Sequence, residues 1–146
     1  MTSTIESQVR DEVEALHRFF VGWFTDVSPN DAIKTGFLNR FDSEFVLIPP
    51  SGAVLTLEEF ESAVRRSHGT NPDFRIAIRN VTIRRIMKDC VVATYEEWQR
   101  NALASTPPDN ARIATVIFRR DQSFRWLHLH ETQLPESIAT AGPYDF

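Results

Sequence analysis

The segment Phe124-Arg125-Trp126-Leu127-His128-Leu129-His130-Glu131-Thr132-Gln133 alternates with a strict period of two, which is the signature of a β-strand with two chemically distinct faces. One face carries Trp126, His128, His130 and Thr132. The other carries Leu127, Leu129, Glu131 and Gln133, so a cavity on either side of this strand brings imidazoles or a carboxylate with it. Working backward, Arg112 to Arg120 reads as the preceding strand, joined by the short turn Asp121 to Ser123, and Cys90 to Arg100 reads as a longer strand before that. Phe74 to Ile86 also alternates, with a slip of phase near Asn80 that a bulge would absorb. The second half of the chain is therefore a meander of long strands.

The first half has the helical period. Val9, Val13, Leu16, Phe20 and Phe24 form the apolar stripe of a long amphipathic helix that Asp26 to Pro29 ends, and residues 1–8 read as a flexible leader. His17 and Phe20 lie on or beside that stripe, where they can face a ligand. Ile33, Phe37, Leu38 and Phe41 predict a second short helix. Glu44 to Ile48 and Ala53 to Leu55 predict a hairpin across Pro49 to Gly52. Thr56 with Glu59 has the spacing of a capping box and opens a third helix running to about Ser67, with His68 and Gly69 as its stop. Residues 136–146 read as a tail that Tyr144 and Phe146 could dock.

Helices first and a long meander afterwards is an α+β order, in which a curved antiparallel sheet buries one face against the helices and leaves a conical cavity. The 146 residues fit one domain, taken as 9–135, and at this size roughly 70% of the unfolded surface can be buried. Hydrophobic residues make up 42% and charged residues 25%, ordinary for a water-soluble domain, with 11 Phe and 3 Trp to fill core and cavity. The net charge of -4 and the interspersed arginines argue against nucleic acid as partner. A lone Cys90 excludes an intramolecular disulfide. No export signal and no 18-residue apolar run is visible, so a cytoplasmic protein without a membrane partner is expected.

The order helix, hairpin, helix, long meander, with Trp126 to Glu131 on the last strand after the Arg119 to Asp121 turn, resembles the nuclear transport factor 2-like (NTF2-like) superfamily. The narrower resemblance is to SnoaL-like and ketosteroid isomerase-like bacterial domains of unknown function, and the stretch Val46 to Ala53 shares it. The resemblance covers about Val9 to Gln133. It implies a cone-shaped sheet wrapped around N-terminal helices, an NTF2-like or cystatin-like fold, and a homodimer formed through the outer sheet face. It also implies that residues in phase with Glu131 face the cone. On that basis the ligand-binding set is His17, Phe20, Tyr95, Glu97, Gln99, Thr115, Ile117, Leu129, Glu131 and Gln133, and the dimer-interface set is Trp98, Trp126, His128 and His130.

Three classes of function stay open. The first is binding of a small apolar or amphipathic molecule in the cone. The second is a lyase or isomerase with Glu97 or Glu131 as general base and Tyr95 as donor to a developing oxyanion, because a carboxylate desolvated by apolar neighbours titrates near neutrality. The third is a homo-association module whose cavity is incidental. A plain hydrogen-bonding network among Tyr95, Glu97, Gln99 and Glu131 would serve the first and third equally. His128 and His130 stand about 7 Å apart on one face, but no further cluster of ligands joins them, so no metal and no cofactor is expected. No phosphate-binding glycine loop and no nucleophile elbow occurs.

Overall fold

The structure, a computed structural model, describes residues 4–146. The first helix, α1 (Ile5–Phe24), starts where Thr4 Oγ1 accepts a hydrogen bond from the Ser7 backbone at 3.1 Å. Residues 5–8, expected as part of a flexible leader, are helical, and residues 1–3 lie outside the described residues. The stripe of α1 buries Val9, Val13, Leu16 and Trp23 against the sheet. Trp23 also donates its indole N–H to the Val64 carbonyl at 2.7 Å, tying α1 to a later helix.

The second helical segment is cut to five residues, α2 (Ala32–Gly36), followed by a 3₁₀ turn over Leu38–Arg40. Gly36 explains the close approach, since a Cβ there would lie 2.4 Å from the Phe19 ring. Phe41 then starts strand β1 (Phe41–Ile48) rather than ending a helix. β2 (Leu55–Thr56) returns across the turn, and α3 (Leu57–Arg66) opens with both hydrogen bonds of the Thr56/Glu59 capping box. The meander comprises β3 (Arg75–Ile86), β4 (Cys90–Arg100), β5 (Asn110–Arg120) and β6 (Phe124–Gln133). The phase slip expected in β3 is a register shift between Arg79 and Thr82, with Asn80 at φ 55°.

All six strands form one sheet in the order β2-β1-β6-β5-β4-β3. It is antiparallel except at one seam, where β1 runs parallel to β6 with Leu47 opposite Leu129. That seam departs from the all-antiparallel expectation, and it follows from the intervening helix and meander, which bring β6 back beside β1 in the same direction. The sheet curves over α1 and α3, and the tail adds a short helix, α4 (Glu136–Ala141).

Two strand phases differ from those read in the sequence. In β6 the register slips at Leu127: Phe118 faces Trp126, whereas Ile117 faces His128. This extra residue is a β-bulge, and it turns Trp126 to the same side as Leu129 and Glu131. Trp126 is accordingly fully buried, packed 4.8 Å from Phe118 ring to ring, and donates its indole N–H to Glu12 at 3.0 Å. It belongs to the core and not to an outer interface. In β5, Ala114 pairs with both Tyr95 and Glu131, so the inward residues are Arg112, Ala114, Val116 and Phe118. Thr115 and Ile117 therefore point outward, away from the cone. Trp126→Ala should cost about 3–5 kcal/mol in urea unfolding; a loss below about 1 kcal/mol would mean that this side chain is not part of the core.

Candidate functional site

The cone holds a cavity of about 220 Å³, open on one side, between α1, α3 and the concave face of the sheet. Its apolar wall includes Phe20 and Phe24 from α1, Phe60 and Val64 from α3, and Leu129 from β6. The opposite wall is a run of polar side chains from three adjacent strands: Glu97 and Gln99 on β4, Arg112 on β5 and Glu131 on β6. Period-two alternation puts Glu97 and Gln99 on one face, and pairing of Glu97 with Arg112 and of Ala114 with Glu131 sets the four side by side. The small Ala114 between Tyr95 and Glu131 keeps that strip of the sheet low.

These groups form a continuous hydrogen-bonded chain. The His17 Nδ1–H donates to the Val13 carbonyl at 2.7 Å, and Nε2 lies 2.9 Å from Glu97 Oε1. Because the carbonyl can only accept, the proton between Nε2 and Oε1 is shared, as imidazolium with carboxylate or imidazole with carboxylic acid. Gln99 Nε2 donates to the other oxygen of Glu97. Arg112 donates to Gln99 Oε1 at 3.3 Å and to Glu131 Oε1 at 3.4 Å. All of this is buried: His17, Glu97, Gln99 and Glu131 are each less than a tenth exposed.

The two carboxyl groups are driven apart. Burial works against the charge of Glu97, but His17, through charge and hydrogen bond together, outweighs it and holds the carboxyl down at about 2. Glu131 meets its cation, Arg112, only at 3.4 Å. Burial, reinforced by the charge of Glu97, pushes it up to about 7 against the opposing pull of Arg112. Burial likewise disfavours charge on His17, yet Glu97 raises it above its ordinary value. Tyr95, fully buried, is raised well above its ordinary range by burial and by both carboxylates. Its hydroxyl and the Arg112 Nε are buried without a protein partner, so two donors remain unspent beside the acid pair.

Of the residues picked from the sequence, His17, Phe20, Glu97, Gln99, Leu129 and Glu131 all meet at this cavity. Tyr95 lies beneath it, ring to ring with His17 at 5.5 Å. Thr115 and Ile117 are on the other side of the sheet, and Gln133, at the end of β6, is exposed. His128 and His130 face outward, as does Trp98, which the chain's own tail covers. Arg112 was missed. The signal for it is an isolated cation at the start of an apolar strand, in phase with Ala114 and Val116 rather than with Thr115. Among the described residues, no helix is long and apolar enough to cross a membrane.

A curved sheet closed over N-terminal helices is the architecture of NTF2-like proteins, and this chain has that fold. Neither a protein-family model nor a curated protein sequence matches it. Among solved structures, it is similar to an NTF-2 like protein of unknown function, PA1314 from Pseudomonas aeruginosa, at 28% identity and TM-score 0.79, covering 88% of this chain and 99% of that one. An NTF2-like protein from Cytophaga hutchinsonii is 17% identical at TM-score 0.64, covering 90% and 100%. The CaMKII hub of S. rosetta is 10% identical at TM-score 0.72, covering 92% and 100%, a likeness of fold alone.

The raised Glu131 means that the folded chain holds an extra proton between about pH 4.5 and 7, so stability should fall as pH rises through that window. His17 acts in the same direction at and above its ordinary value, whereas Glu97 costs stability only when the pH drops from 4.5 toward 2. At about 1.4 kcal/mol for each pKa unit, the Glu131 contribution is a few kcal/mol. Urea unfolding from pH 5 to 8 should show the decline, and Glu131→Gln should remove its lower part and leave the variant more stable than the wild type above neutrality. An unchanged slope in Glu131→Gln would mean that this carboxyl titrates normally.

Proposed function

We propose that the protein binds a small, mostly apolar molecule in the cone, with one oxygen-bearing polar group directed at the Arg112 and Glu131 end. The observation that carries this reading is the division of one pocket into an aromatic and aliphatic side and a hydrogen-bonded acid–base side. A cavity of about 150 Å³ accepts benzene, so the 220 Å³ here suits a single substituted ring. His17 offsets Glu97, and Arg112 offsets Glu131 when it is ionised, so the wall needs no charge from the ligand. The unspent Nε of Arg112, a residue of the cavity wall, favours an acceptor oxygen. A panel of neutral single-ring ketones and phenols, screened by ligand-observed NMR, should yield binders that Leu129→Trp or Phe60→Trp, each filling the cavity, excludes. Binding untouched by either variant, or none at all across the panel, would overturn the proposal.

A second reading, proton transfer as a lyase or isomerase, is favoured by the separation of the two carboxyl groups. Glu97 is pinned through both oxygens and serves as a fixed charge. Glu131, titrating near neutrality at the cavity wall, is the group able to take a proton from carbon and return it, while Tyr95, beneath the cavity, serves as donor only to an oxygen that reaches the floor of the cone. Hydrogen–deuterium exchange next to the carbonyl of a bound ketone should then fall at least about 100-fold in Glu131→Gln with binding retained. Self-association through the outer face, where His128, His130, Thr115 and Ile117 lie together, is the third reading, and sedimentation as a monomer at high concentration would remove it.

A further inference from the structure

On the convex face of the sheet, Trp98 sits on β4 between Glu97 and Gln99, whose side chains point the opposite way into the cone. Its partners in register are Ala77 on β3 and Ala111 on β5, so the indole lies between two methyl groups that cannot cover it. It is nevertheless only 3% exposed. The cover comes from β3 and from the end of the chain. The Arg79 guanidinium stacks 4.5 Å from the Trp98 ring, and the Tyr144 ring meets its edge at 5.4 Å. Arg79 also donates to the Pro143 carbonyl at 2.8 Å and to Asp145 at 3.4 Å. Phe146 lies 5.7 Å from Arg79 and 5.5 Å from Arg100. The Tyr144 hydroxyl donates to the Ala139 carbonyl at 2.6 Å and folds the segment back on α4. On its far side, Trp98 donates to Glu96 at 2.9 Å, which Asn80 in turn holds at 2.8 Å.

We propose that the C-terminal segment Pro143 to Phe146 is a clamp that, through Trp98, positions Glu97 and Gln99 in the cavity. The inference rests on the reading of the cone as the binding site. Neighbouring side chains on a strand are rigidly opposed, so a change of twist at Trp98 turns both residues that flank it. β4 ends at Arg100, one residue beyond Gln99, where strand ends open most easily. The Gln99 to Arg112 bond, at 3.3 Å, is near the limit of hydrogen bonding and has little slack. The clamp touches no ligand. Trp98, Tyr144 and Arg79 are positioning residues acting through the strand.

The test compares the full chain with a chain shortened to residues 1–142 and with the full-length variant Tyr144→Ala. Amide hydrogen exchange at residues 96–100 should accelerate at least about tenfold in both, with α1 unchanged. The charged and titratable groups around Glu131 are Glu97, Arg112, His17 and Tyr95. Burial is the first cause of the high Glu131 midpoint and the Glu97 charge the second, so displacing Glu97 should lower the midpoint, read by carbon NMR, from near 7 without returning it to the ordinary carboxyl value. Tyr144→Phe, which keeps the ring against Trp98 but loses the bond to Ala139, should lie closer to the full chain than Tyr144→Ala in both exchange and midpoint. An unchanged midpoint in a folded Tyr144→Ala variant would overturn the clamp, as would acceleration spread evenly over the chain. If the shortened chain does not fold, Tyr144→Ala decides. Failure of the intact protein to bind any ring compound would instead count against the cone as a binding site, and the midpoint would still judge the clamp.

Discussion

The proton shared between His17 and Glu97 joins the long helix to the middle of the sheet, at the point where the cone would otherwise bury an unpaired carboxylate. Removing two charges from water costs several kcal/mol for each ion, and only close geometry with further hydrogen bonds returns it. Here the imidazole is held from behind by the Val13 carbonyl, and the carboxylate by Gln99. Each member is satisfied, so the pair ties α1 to β4. The remaining chemistry of the cavity is arranged around that fixed charge.

With Glu97 committed, Glu131 becomes the variable group. The two carboxyl groups belong to the same wall and are both buried, yet one has a cation in direct contact through a short bond, and the other has a longer contact with Arg112 in addition to a carboxylate close by. Small differences in partner geometry are magnified where water is excluded. The result is one carboxylate that stays charged and one that can exchange a proton near neutrality, the division of roles that acid–base sites depend on. The aromatic wall supplies the desolvation that makes the division possible, so the greasy and polar halves of the cone act on each other.

The sheet also separates two environments by the thickness of one strand. Glu97 and Gln99 face the cone while Trp98 between them faces outward, where Arg79 and the end of the chain close over it. The tail reaches this point because α4 follows β6 directly and turns the chain across the end of the sheet. The tail that Tyr144 and Phe146 could dock is thus packed against the strand that carries half of the polar wall.

The order of helices and strands, the capping box at Thr56, the bulge near Asn80 and the alternation that puts Glu97 with Gln99 and Leu129 with Glu131 were all legible in the sequence, because each depends on residues a few positions apart. The leader boundary moved because the Thr4 cap is a local signal of low contrast. What the sequence did not contain is the relation between strands. The loop between β4 and β5 sets which face of β5 meets the cone, and a shift of one residue there exchanges Arg112 and Ala114 for Ile113 and Thr115. The extra residue at Leu127 is invisible in a perfect alternation, yet it carries Trp126 from the outer face into the core. The sequence by itself determined which residues alternate and where polar ones interrupt the apolar pattern. Only the tertiary structure decided which of them meet, because register and bulges arise from pairing between strands and burial of charge depends on what lies on the far side of the cavity.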